Sequence, residues 1–247
     1  MASLSPTLTI KEPRGRRGGG GDTPHFPGGG DGRGDSGSPD YFERLRRYRL
    51  GLAVGIAPII MLFVAFTSAY IVRQGLASWD IRTNRYVNDW LPVSLPMLLL
   101  AVNTCILVIS SVTAELARRQ TARQAALAPV TSLPGIANDD RHPFPWVTIT
   151  FLLGVGFLVG QFMAWRELAS RGFFISTGPS SSFVYLLTGM HAMHLLGGVL
   201  ALLYAAATSW LNKPIEVRRI VVDITAWYWH FMALLWIYIF ALLQIAR

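Results

Sequence analysis

Five apolar blocks set the pattern of this chain, and none of them contains Asp, Glu, Lys or Arg. They run from about Leu50 to Val72, Pro92 to Val112, Trp146 to Trp165, Phe183 to Trp210 and Thr225 to Ile245. A helix rises about 1.5 Å per residue, so each block is long enough to cross a hydrocarbon core of roughly 30 Å. The pattern predicts an all-α integral membrane bundle of five transmembrane helices. Pro58 falls inside the first block, where a kink is tolerable if neighbours satisfy the freed carbonyl. Trp79, Trp90, Trp146, Trp165, Trp210 and Trp227 lie near block ends, as interfacial anchors do.

Polar segments between the blocks set the orientation. One side receives Arg44, Arg46, Arg47, Arg49, Arg118, Arg119, Arg123, Arg141, Lys213, Arg218 and Arg219. The other receives only Arg73, Arg82, Arg85, Arg166, Arg171 and Arg247. The positive-inside bias therefore predicts a cytoplasmic N-terminus and an external C-terminus. Residues 1–40 are rich in Gly and Pro and too poor in apolar surface to offset the entropy of ordering, so they read as a disordered tail. No apolar run precedes Tyr41, so a secretory signal is not expected in this sequence. The stretch YFERLRRYRL reads as an amphipathic lead-in lying at the interface. Between the second and third blocks, the helix is expected to extend through AELARRQTARQAAL and to break at Pro129 and Pro134.

Composition narrows the chemistry. The net charge of +8 lies in basic residues flanking apolar blocks, which reads as loop anchoring and not as a nucleic-acid patch. Cys105 is the only cysteine, so an intramolecular disulfide and a cysteine-based metal cluster are both ruled out. Five spans do not form a three-plus-three inverted repeat, which disfavours a secondary transporter. The first two blocks hold no Asp, Glu, Lys, Arg or His, and the bundle is expected to contain no carboxylate, so a proton relay through this chain is not expected. Glu115 and Glu167 sit at predicted helix ends, where pairing with Arg118 or Arg166 is the ordinary reading.

The candidate chemistry lies in the fourth block. His191 and His194 are three residues apart and share one helix face, with Tyr185 near the same stripe and Thr188 one turn away. Imidazole at that depth must be neutral, hydrogen-bonded and turned towards protein. One reading makes His191, His194 and His230 haem or metal ligands. Depth weighs against it, because His191 and His230 differ in height by up to about 10 Å. The other reading makes them structural, with Gln161 of the third span hydrogen-bonded to His191 or His194. Small residues at Gly154, Gly156 and Gly160, and at Gly189, Gly197 and Gly198, suit close helix packing. Lys213, Arg218 and Arg219 are candidates for holding a lipid phosphate.

These residues resemble a known family, subunit III of the haem–copper terminal oxidases. Tyr185, Thr188-Gly189, His191, His194 and Gly198 fit its pattern Y-x-x-T-G-x-H-x-x-H-x-x-x-G. Tyr228-Trp229-His230-Phe231, with Trp236 five residues later, resembles its YWHF…W signature. Gln161, Trp165, Glu167 and Leu168 look like its Q-x-x-x-W-x-x-L run. The resemblance covers about Tyr41 onwards and is closest to the short, five-helix bacterial form. It implies a non-catalytic subunit of the bacterial cytoplasmic membrane, beside a catalytic subunit I that carries the haems and copper. It further implies no cofactor in this chain, bound phospholipid, and a buried polar network of Gln161, Trp165, Glu167, Tyr185, Thr188, His191, His194, Tyr228, Trp229, His230 and Trp236. A nitric oxide reductase accessory subunit has similar motifs and is the alternative complex; a b-type haem subunit is the alternative class. Two departures stand out. Many members carry a carboxylate in the first of these spans, where Pro58, Ile59, Met61 and Phe63 occupy the register. Ala233 stands where the fifth-span signature usually has Asp.

Overall fold

A computed structural model of the chain describes residues 39–80, 84–87, 90, 95–131, 145–211 and 213–245. The predicted tail therefore falls almost wholly outside the described residues. Five helices carry the structure: α1 (Pro39–Gly75), α2 (Met97–Thr131), α3 (Trp146–Ser170), α4 (Pro179–Trp210) and α5 (Ile215–Ile245). All five are long and apolar enough to cross a membrane.

The helices overrun the apolar blocks. The lead-in YFERLRRYRL is continuous with the first span in one 37-residue helix, not a separate segment. Likewise, α2 continues past Pro129 to Thr131, where a break was expected. Hydropathy marks only the stretch that lipid must cover, whereas helical hydrogen bonding persists until a cap or breaker stops it. Between α1 and α2 the chain adds a feature that the apolar pattern does not signal, a two-stranded antiparallel ladder of β1 (Ser78–Asp80) and β2 (Arg85–Val87). Trp79 pairs with Tyr86 in its register, and Asn84 before β2 takes φ 51°, a left-handed value that asparagine tolerates better than most residues.

Helices α2, α3, α4 and α5 close into a ring, with α2 against α3 and α5, and α4 against α3 and α5. The first helix flanks α4 and α5 from outside that ring and is the least buried of the five. The core holds Phe63, Leu107, Phe157, Leu187, Leu195, Trp229, Met232, Trp236 and Ile239. A tight turn joins α3 to α4. Phe173 donates its N–H to the Leu168 carbonyl and Gly172 donates to Ala169, the double bond of a Schellman stop. Gly172 sits at φ 83°, where a side chain would be strained. Pro179 then opens α4 at a position that needs no N–H donor.

Candidate functional site

The fifth helix bonds to three of its neighbours through consecutive aromatic residues and their successors. Tyr228 donates its hydroxyl to the His194 carbonyl on α4 at 3.0 Å. Trp229, fully buried, donates Nε1–H to Ser110 on α2 at 2.9 Å. His230 Nδ1 lies 2.6 Å from Ser111 Oγ, also on α2. Farther along, Trp236 donates to Thr104 on α2 at 3.0 Å, and Tyr238 donates to Thr67 on α1 at 2.9 Å. Successive helical residues point about 100° apart, so one short run can address different neighbours. In lipid, where apolar side chains gain little by meeting each other, such bonds and close packing are what holds helices together.

Ser110 passes the connection on. Its hydroxyl faces the Thr150 carbonyl of α3 at 3.4 Å, and Thr113 and Thr150 share a hydroxyl pair at 2.8 Å. Trp229 thus rests at a three-helix junction of α2, α3 and α5. Gly154 gives it room: a Cβ there would lie 2.7 Å from Trp229 Cη2. Gly198 does the same from α4, where a Cβ would meet Tyr228 at 3.1 Å and Trp229 at 3.2 Å. Gly160 makes way for the Asn103 amide of α2. Gly156 and Gly197, grouped with these by sequence, have nothing near their missing Cβ, and Gly189 has only Trp165 at 4.0 Å. Helix rotation decides which small residue faces a neighbour.

A charged cluster ties the arginine-rich ends of α1, α2 and α5 together. The Asp223 carboxylate accepts two hydrogen bonds from Arg49, at 2.9 and 3.0 Å, and a third from Arg118 at 3.4 Å. Arg118 in turn grips Glu115 at 2.7 and 2.9 Å, and Arg119 adds a bond to the same carboxylate at 2.8 Å. His230 Nε2 stands 3.5 Å from Glu115, and the Arg118 guanidinium lies 5.9 Å from the Trp227 ring centroid. Fork-shaped arginine–carboxylate bonding of this kind is among the stronger polar contacts available to a protein. The expectation of no carboxylate inside the bundle is corrected here, since Asp223 is buried. The apolar block begins two residues later, at Thr225, which left Asp223 uncounted. The signal that could have found it is an isolated acid in the run IVVDIT, facing a surplus of arginine.

The remaining candidate residues divide among separate places. Trp165 donates to Thr188 at 3.1 Å, and Thr188 donates to Val184 within its own helix at 2.6 Å. Tyr185 holds the α3–α4 turn through the Phe173 carbonyl at 2.9 Å. His194 Nδ1 faces the Met190 carbonyl of its own helix at 2.8 Å. The predicted bond from Gln161 to His191 or His194 is not formed. Gln161 Oε1 and both ring nitrogens of His191 have no hydrogen-bond partner among the described residues. His191 is instead packed between rings, 5.2 Å from Trp236 and 6.1 Å from Phe157. Glu167 is no part of a buried network either, because it is exposed and pairs with Arg171 at 3.0 Å. An acid one turn from a helix end reaches water more easily than a core partner. Lys213 is exposed and its N–H closes the end of α4 on Thr208; Arg218 and Arg219 are half-buried on the first turns of α5. Among the described residues no three His, Cys, Asp or Glu side chains come together as metal ligands.

Grooves open between helices. One of 410 Å³ runs between α1 and α5, lined by Leu52, Ala53, Ile56, Phe231 and Leu234 with Arg49 and His230. Another, of 330 Å³, lies between the start of α1, α4 and α5, with Arg44, Tyr48 and Tyr204 in its wall.

A ring of apolar helices, each long and apolar enough to cross a membrane, defines a multi-pass integral membrane protein. Residues 44–245 match the family described as cytochrome c oxidase subunit III, and the chain belongs to that family. It is 32% identical over 102 residues to the probable cytochrome c oxidase subunit 3 of Mycobacterium tuberculosis, covering 41% of this chain and 50% of that one. The chain therefore spans about half the length of that relative. Similarity to the Mycobacterium leprae protein of the same name is longer and weaker, 24% identity over 80% of this chain and 87% of the other. The cytochrome bo(3) ubiquinol oxidase subunit 3 of Pseudomonas aeruginosa is 28% identical over 40% of this chain and 48% of its own length.

Proposed function

We propose that this chain is the accessory subunit III of a bacterial haem–copper terminal oxidase, a complex that reduces oxygen to water and translocates protons across the cytoplasmic membrane. Redox chemistry belongs to the partner, catalytic subunit I, which carries the haems and copper. This chain supports it by packing and by holding phospholipid. In that membrane the arginine-rich ends of α1, α2 and α5 face the cytoplasm, where anionic headgroups gather.

The observation that carries this reading is the use made of the family's signature residues. Tyr228, Trp229 and Trp236 hold helix to helix, His230 meets Ser111, and His191 is enclosed by aromatic rings. The Phe157 and Trp236 rings against His191 support a packing role for this imidazole over axial ligation of haem. Ala233, where the signature usually has an acid, is buried among apolar neighbours. The groove between α1 and α5, apolar along its length and ending at Arg49, suits an acyl chain with its headgroup near a guanidinium.

Affinity purification from native membranes in mild detergent, followed by mass spectrometry of proteins and lipids, tests the proposal. Co-elution with a haem–copper oxidase catalytic subunit and phospholipid is the expected result. Recovery with a nitric oxide reductase, or of a solitary chain with its own Soret band, overturns it.

A further inference from the structure

The Trp165–Thr188 bond fixes the level at which α3 and α4 face each other as they run antiparallel. One turn back along α3 lies Gln161, and one turn on along α4 lies His191. Both are sealed from the surface, at 2% and 0% exposure, and they stand at the same depth. Phe157, a further turn along α3, meets the His191 ring edge to face, with centroids 6.1 Å apart. A third polar group joins them from α2. Asn103, 2% exposed, lays its amide against Gly160, the residue before Gln161, and neither of its polar atoms is paired among the described residues.

Leaving one buried donor or acceptor unsatisfied costs roughly 1–3 kcal/mol. Five such atoms are Gln161 Oε1, His191 Nδ1 and Nε2, and Asn103 Oδ1 and Nδ2; Gln161 belongs to the turn of α3 whose Gly160 the Asn103 amide abuts, and His191 to the turn of α4 one step on from the Trp165–Thr188 bond. Their chemistry is mixed: acceptors from the two amides, donors from the Asn103 amide, and one donor and one acceptor from a neutral imidazole. No acid stands among them to hold a cation. The ligand that meets both donors and acceptors at short range and carries no charge is water, which in protein interiors takes about three hydrogen bonds.

We infer that Gln161, His191 and Asn103 form an internal hydration site, in which bound water joins α2, α3 and α4 where direct side-chain bonds do not. This stands on the packing alone and is independent of the function proposed above.

Radiolytic labelling reads it directly. Hydroxyl radicals made from water by a synchrotron pulse oxidise side chains beside bound water even when those side chains are shielded from bulk. Trp236 and Trp229 form a matched pair: both are buried, at 1% and 0%, and both donate Nε1–H to a hydroxyl. Only Trp236 touches His191. With the protein in native membranes, Trp236 is expected to be oxidised roughly threefold faster than Trp229, or more, with oxygen drawn from added H2(18)O. Gln161→Leu, which keeps the bulk and removes the acceptor, is expected to bring Trp236 down to the Trp229 rate. Equal rates in the unaltered protein overturn the proposal, and that comparison needs no variant. An elevated Trp236 rate that persists in an assembled Gln161→Leu protein overturns it as well.

Discussion

The hydroxyl of Tyr228 reaches across to the main-chain carbonyl of His194, so a signature residue of one helix is bonded to the backbone of a signature residue on another. The carbonyl of a helical residue is already engaged within its helix, so the phenol adds a second bond without unwinding α4. Removing it with Tyr228→Phe should lower stability by about 0.6 kcal/mol, the average for inter-helix hydrogen bonds in membranes. Thermal unfolding in detergent checks this, and an unchanged midpoint would contradict it.

Gly154 and Gly156 lie two residues apart on α3 and differ in what they face. Gly154→Ala should cost about 1–3 kcal/mol, because a rigid indole cannot yield to a methyl group as a flexible side chain can. Gly156→Ala meets open space and should be neutral or slightly stabilising, since alanine favours helix. Parallel melting curves of the two variants separate packing from propensity.

Asp223 is the shared anchor of Arg49 and Arg118. Asp223→Asn should destabilise by about 1–3 kcal/mol, below the figure for a fully buried pair because Arg49 is partly solvated. Added to Asp223→Asn, Arg49→Gln should cost little more, because its partner charge is already gone. Additive losses in that double-mutant cycle would show that the pair does not act as a unit.

Glu167 pairs with Arg171 at a water-exposed helix end. Glu167→Gln should leave the unfolding free energy unchanged within about 0.5 kcal/mol. A larger loss would restore Glu167 to the buried network that its motif position suggests.

The number of helices and their approximate places were legible in the sequence, because lipid demands long uncharged blocks and these announce themselves. Which polar side chains meet was much less so. Gln161 was expected to bond His191 or His194, yet a place on adjoining spans says nothing about the last ångströms that make a hydrogen bond, and that bond is not formed. Ser110, Thr104 and Thr67 carry no signal in a hydropathy pattern, being small hydroxyls scattered through apolar runs, and their roles appear only once each helix has its rotation. Asp223 was hidden by a boundary drawn on apolar content, and the length of α1 by the same habit of equating helix with span.

The fifth helix follows the other four in chain order, and many of the inter-helix bonds described above end on it. During synthesis the earlier helices therefore enter the bilayer before their main fastener exists, and for some seconds at ordinary translation rates they can be held only by loose mutual packing. Any cellular factor that guards orphan membrane segments has its opportunity in that interval, and a chain cut short before Tyr228 would carry only the first four spans, with the bundle unlatched.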